Sequence, residues 1–317
     1  MSLLRPTSAD AATVSEASAP STRSPAESIS VEPPKGEPPK GSRWGVYIYR
    51  LKKWALSPRP FLTLIGFALL FSFWLLAVDV LQFWRFRYMP GLQEVVTEWI
   101  SRDPQYGISV FTGEYYSHIW VSLRRVLIAF TLALVLGVPL GLVMGWYVKF
   151  KEFIFPVFET LRPIPILAWV PLAILMFRSE EGPVIYLTFL SAFFATTLNA
   201  LLGVQSIDRD LVRAAYCLGS SRADVFKHVV IPGAMPYVFI GLQIAMGVAW
   251  FSLVAGEMIA GRFGLGYLVN TAYTTARYPT IVIAMFTLGF VGWLTSALIR
   301  FVGNRLMQYR ARVLSTG

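Results

Sequence analysis

The chain has 317 residues, 55% of them apolar and 15% charged, which leaves too few polar groups to cover a water-facing surface. That balance excludes an ordinary soluble domain and makes the bilayer the expected solvent. A net charge of +10 would suit nucleic acid, yet the cations lie between apolar runs and not along one basic face, which argues against such a partner.

Residues 1–42 are rich in Ser, Ala, Pro, Glu and Thr, carry no apolar run and end in a repeated Pro-Pro-Lys-Gly, so they read as a disordered cytoplasmic tail. A basic juxtamembrane segment, 43–59, follows with Arg50, Lys52, Lys53 and Arg59. A span needs about 20 mostly apolar residues. Six stretches qualify, at about 60–82, 119–148, 153–177, 183–204, 234–260 and 279–301, and each should be a helix because lipid offers the backbone no hydrogen-bond partner. The expected architecture is therefore an all-α integral membrane protein of six transmembrane helices over 60–303, with 304–317 as a cytoplasmic tail. Lys and Arg gather before the first span, at Lys149 and Lys151, in the 205–233 loop and at the end, which puts both termini in the cytoplasm.

Gly137, Gly141 and Gly145 recur every four residues in the second span, a spacing that admits another helix backbone at close range. Pro156, Pro163, Pro165 and Pro171 each remove a donor from the third span, which should be kinked or partly unwound and sit beside a pathway. In the loop 205–233, Asp210 can cap a helix that stops at Gly219. Ser220 or Ser221 then starts a second helix ending before Pro232. The product is a small cytoplasmic elbow whose apolar residues exceed what so short a loop can bury, so another protein should cover them.

At this loop the chain resembles the signature of ABC importer permeases, Glu-Ala-Ala followed by Gly and then Ile-x-Leu-Pro. Ala214, Ala215 and Gly219 match it, and Val229, Ile231 and Pro232 fall at the later places, while Arg213 stands where the family has Glu. Segments 122–130, 137–145, 162–177 and 249–269 resemble the nitrate/sulfonate/taurine branch of these type I, binding-protein-dependent permeases. The resemblance implies that the elbow is a coupling helix docking on an ATPase subunit, with ATP and Mg on that partner and no cofactor in this chain. It also implies a second permease copy, two ABC ATPases, an extracytoplasmic solute-binding protein and the bacterial inner membrane. The solute would be a small anion such as nitrate, bicarbonate, taurine or another sulfonate. No stretch reads as a phosphate-cradling loop, so the chain is expected to be a transport subunit and not an enzyme. A self-sufficient channel or secondary transporter is the alternative; neither an inverted repeat nor an acidic relay speaks for it.

Ionisable groups inside apolar helices are costly and count as site candidates. Glu159 and Arg162, three apart, are expected to form an ion pair or a gate. Arg124 and Arg125 open the second span near its outer end, where they either attract an entering anion or snorkel to the interface. Trp169, Thr197, Asn199, Gln243, Trp250 and Ser252 are further candidates for the pathway, with packing or helix-to-helix bonding as the plainer role of each. Glu257, among small residues, should bond a neighbouring helix, and Gly261, Gly264 and Gly266 read as a tight extracytoplasmic turn. Cys217 is the one cysteine, and His118 and His228 the only histidines, so no disulfide and no clustered His/Cys metal site is expected.

Overall fold

The computed structural model describes residues 58–81 and 89–307, so the expected tail of 1–42, residues 43–57 of the basic segment 43–59 and the last ten residues lie outside it. By contact the chain divides into Met1–Ala68 and Leu69–Gly317. Of the first unit only the helical stretch from Pro58 to Ala68 is described. That stretch opens helix α1, Pro58–Trp74, whose two prolines fall in the first turn, where the backbone needs no N–H donor. The helix runs on into a wide turn, Leu75–Val80.

The second unit is built from helices. A short amphipathic helix, α2 (Leu92–Ile100), buries Val95 and Glu98. The Glu98 carboxylate accepts the N–H groups of Gln105 and Tyr106 at 3.1 and 2.6 Å and so ties down the loop that follows. Then come α3 (Gly113–Trp146) and α4 (Val148–Leu161). A single tight turn, Ile166–Trp169, leads to α5 (Val170–Met176). The long α6 (Glu181–Gln205) precedes the elbow helices α7 (Arg209–Cys217) and α8 (Arg222–Val225). The chain closes with α9 (Ile231–Ala260), α10 (Leu265–Thr274) and α11 (Tyr278–Leu306). Among the described residues, five helices are long and apolar enough to cross a membrane, or six if the bent pair α4 and α5 counts as one.

That pair is the third span, 153–177, expected to be kinked or partly unwound at its prolines, and it is broken into two segments at 89° to each other. Pro163 and Pro165 stand in the break, and two missing donors with two fixed φ angles within three residues leave no helical path through it. The second span also begins earlier than its hydropathy suggests, at Gly113, because polar residues of its first turns find partners in the fold.

Helix α6 is the centre. In its most apolar window 61% is buried, which places α6 inside the bundle. Helices α3 and α9 flank it. Contact with α3 is set by the glycine ladder: a Cβ on Gly137 would strike the hydroxyls of Thr196 and Thr197, one on Gly141 the Thr197 carbonyl, and one on Gly145 the Val204 side chain. On the other side Gly203 admits Ala234, and Gly241 admits Asn199. Backbones approach this closely only where a side chain is absent.

Candidate functional site

The elbow is assembled by local capping. Asp208 is the N-cap of α7, its carboxylate accepting the Asp210 N–H at 2.9 Å; the cap expected at Asp210 falls two residues earlier. Asp210 sits in the first turn and pairs with Arg213 at 3.2 Å. The helix ends as expected at Gly219, whose φ of +86° only glycine takes without strain. The N–H of Ser220 reaches the Ala215 carbonyl and that of Gly219 the Tyr216 carbonyl, which satisfies two end carbonyls together. Ser221 then caps α8 in a reciprocal box with Asp224.

The second helix does not end before Pro232. A wide turn, Phe226–Val230, leads directly into α9, with the Ile231 N–H bonding back to the Phe226 carbonyl. The five-residue spacing of that turn carries the backbone up to Pro232, which has no N–H to give. The elbow's second helix and α9 thus form one continuous rod from Arg222 to Ala260.

The faces of α7 differ. Val212 and Ala215 pack against the hydrophobic core together with Ile207, Phe226, Val229 and Ile231. Arg209, Val212, Arg213 and Tyr216, at helical spacing, turn toward α3 and α4 and line a cleft there. Leu211, Ala214 and Leu218 lie on the remaining side, with Leu211 60% and Leu218 87% exposed. Of the expected coupling residues, Ala215, Val229 and Ile231 seat the elbow, Pro232 is half-buried at the root of the rod, and Arg213, Ala214 and Gly219 are exposed. The ridge of Leu211 and Leu218 went unmarked as a site, although the surplus of apolar residues in so short a loop pointed to it.

At the opposite end of the bundle, α3, α6, α9 and the turn 261–266 meet in a buried cluster of charge. Arg125, 1% exposed, donates from Nε and Nη2 to both oxygens of Glu181 at 2.9 and 2.7 Å. Its Nη1 donates to Glu257 at 2.9 Å and to the Phe263 carbonyl at 2.5 Å. Glu257, fully buried, also accepts the Ser122 hydroxyl at 2.8 Å and the Gly266 N–H at 2.9 Å. Arg124 reaches Glu181 from the rim at 3.2 Å, so two guanidinium groups face two carboxylates. The turn itself needs its glycine: Gly264 has φ +122°, donates its N–H to His118 Nδ1 at 3.1 Å, and leaves no room for a Cβ beside the Glu257 carboxylate.

Arg125 therefore neither lines an open route nor snorkels; its charge is spent inside the chain. Because α3 starts at Gly113, Arg124 and Arg125 lie about three turns into it. Trp250 donates to Thr295 and Ser252 to the Leu187 carbonyl, both at 3.0 Å. Asn199 bonds the Ala195 carbonyl of its own helix at 2.8 Å. Thr197 is buried against Gly137, Trp169 and Gln243 are half-buried, and the Thr197 hydroxyl and the Trp169 N–H have no partner among the described residues. Glu159 and Arg162 are both exposed and form no ion pair among the described residues. Trp250 also lines, with Phe251, Val254, Met258 and Leu288, an apolar groove of about 410 Å³ between α9 and α11.

A family model described as a binding-protein-dependent transport system inner membrane component matches residues 137–312. The taurine transport system permease protein of Escherichia coli (strain K12) is 32% identical, over 83% of this chain and 95% of its own length. A nitrate import permease protein of Leptolyngbya laminosa is 34% identical, over 68% of this chain and 78% of its own. A probable ABC transporter permease protein of Brucella abortus (strain 2308) is 37% identical, over 64% and 81%. Among solved structures, the inward-facing MetNI methionine ABC transporter superposes with a TM-score of 0.50 at 17% identity, over 61% of this chain and 94% of that one, and so shares the fold.

Proposed function

We infer the work of this chain from the family to which it belongs, the inner membrane components of binding-protein-dependent transport systems, in the nitrate/sulfonate/taurine branch of ABC importer permeases. It is the membrane-spanning permease subunit of such an importer. The elbow lies in the cytoplasm, as do both termini, and it docks on a separate ATPase subunit. Two copies of the chain meet along their apolar faces, two ATPases grip the two elbows, and an extracytoplasmic binding protein delivers the solute. The names of the relatives favour a small anion of the nitrate or taurine kind.

One observation carries this reading: an apolar ridge, Leu211 and Leu218, held out from the bundle on a helix capped at both ends. Exposed leucines on so rigid a support are costly in water and gain by burial against a partner, each by about 1.5–3 kcal/mol. ATP-driven closure of the ATPase pair would then do work on the rod that begins at Arg222. Co-purification tests it. With the ATPase co-expressed, L211D/L218D should leave the bundle folded and lose the ATPase. Undiminished recovery of the ATPase with that variant would refute the docking.

A further inference from the structure

The elbow has a second face that docking through Leu211 and Leu218 leaves unused. Arg209, Val212, Arg213 and Tyr216 close one side of a cleft of about 590 Å³ whose other side is the end of α3 and the start of α4. Lys151 lines it from α4, its ammonium 5.4 Å from the centre of the Phe155 ring. A second cavity of about 380 Å³ shares Trp146, Val148 and Tyr216 with the first and adds Lys149 and Arg222. Five cations thus line two adjoining cavities, and no carboxylate lines either one. Asp210 pairs with Arg213 from outside, at a highly exposed position. Lys149, Lys151, Arg209 and Arg222 have no ion-pair partner among the described residues.

The floor of the recess is apolar, formed by Met144, Val204, Ile207 and Val230 beside the Trp146 ring. The recess opens where the apolar run of α3 ends at Trp146 and Tyr147, aromatic residues that favour the level of lipid headgroups. Cations above an apolar floor at that depth fit a ligand with an anionic head and a hydrocarbon tail. A free inorganic anion would use the cations and leave the apolar floor in contact with water.

We propose that the recess between the elbow and the α3–α4 turn binds an anionic phospholipid, its phosphodiester held by Lys151, Arg209 and Arg213 and its first methylenes laid against Val204 and Val212. The site rests on the membrane orientation given above, and not on the Leu211 and Leu218 ridge, which lies on the opposite side of α7. A lipid there fills the space under the elbow and sets how far α7 stands from α3.

The test is native mass spectrometry of the full chain released from nanodiscs, with phosphatidylglycerol as probe and phosphatidylcholine as reference. The wild-type chain should retain phosphatidylglycerol in preference to phosphatidylcholine. Each cation removed near a headgroup weakens binding about fivefold, so K151Q/R209Q/R213Q should lose about a hundredfold. The replacement R209K/R213K, which keeps the charge, should retain the lipid. R178Q/R300Q, which neutralises two exposed arginines elsewhere, should behave as wild type, and all variants should elute and unfold as the parent does. Equal retention of phosphatidylglycerol by the triple variant overturns the site. Displacement of the lipid by millimolar inorganic phosphate overturns the lipid assignment in favour of a soluble anion, and its loss whenever the ATPase is bound assigns the recess to that subunit. The variant L211D/L218D should keep the lipid while losing the ATPase, which separates failure here from failure of the coupling reading.

Discussion

Replacing Arg125 with Met removes the cation from the buried cluster and keeps most of the aliphatic volume of its stem. Four hydrogen bonds go with it, two to Glu181, one to Glu257 and one to the Phe263 carbonyl. Their loss is not evenly felt. Glu181 is 39% exposed at its side chain and keeps Arg124, so water and a second guanidinium answer for it. Glu257 is fully buried and retains only Ser122 and the Gly266 N–H, neither of which carries charge. An uncompensated buried carboxylate costs about 3–5 kcal/mol, a large part of the roughly 5–15 kcal/mol that holds most folds together. E257Q is milder, at about 1–3 kcal/mol: Arg125 keeps Glu181, and the loss is that an amide offers fewer acceptor sites to three donors. In R125M/E257Q the stranded charge no longer exists, so the double variant should be more stable than the sum of the singles by about 1–3 kcal/mol. Unfolding by SDS in mixed micelles, followed by tryptophan fluorescence, measures all three. An R125M midpoint equal to wild type, or strict additivity in the double variant, would refute the claim that this cluster is buried and mutually compensated.

Two glycines give further tests at opposite ends of the bundle. G264A places a methyl group against the Glu257 carboxylate and strains a φ of +122°, so it should lower the same unfolding midpoint by an amount comparable to R125M. At Gly219 a Cβ would meet nothing within 4 Å, which leaves only its φ of +86° to resist substitution. G219V should therefore cost about 1–2 kcal/mol or more in the elbow and reduce recovery of the ATPase, while G219N, which tolerates that backbone, should retain it.

The spans were legible because a membrane helix announces itself by length and apolar run, and their ends were less so. Helix α3 starts at Gly113 and not near 119 because Glu114, Ser117 and His118 look like loop residues, yet Ser117 bonds the Gly113 carbonyl within the helix and His118 accepts the distant Gly264 N–H. Elbow capping is local chemistry and could be read, although the cap falls on Asp208, two residues before the expected Asp210. The charge cluster could not. Its bonds join residues 56 and 132 positions apart, and Glu181 stands just outside the apolar run that drew attention to the fourth span. The usable signal was a debt: Arg125 and Glu257 each sit where a lone charge is intolerable, so each required a partner of opposite sign.

The two ends of the bundle are held by different physics, and the difference suits the docking proposed for the elbow. Where Arg125 joins α3, α6 and α9, bidentate and buried ion pairs fix direction as well as distance, and small displacements break them. Along the middle, glycine contacts lock α3 and α9 onto α6 at backbone range, where sliding meets steric resistance at once. At the elbow side-chain packing of Ile207, Val212, Ala215 and Phe226 holds α7 down, beside a recess that lies between it and α3. Packing of that kind has no fixed direction. The wide turn at Phe226–Val230 is the one irregular stretch in the rod from Arg222 to Ala260, so a force on the elbow meets its least resistance there before it reaches α9. Motion should therefore enter the bundle through α9 and the backbone-close α6, with the charge cluster as the fixed point about which they turn.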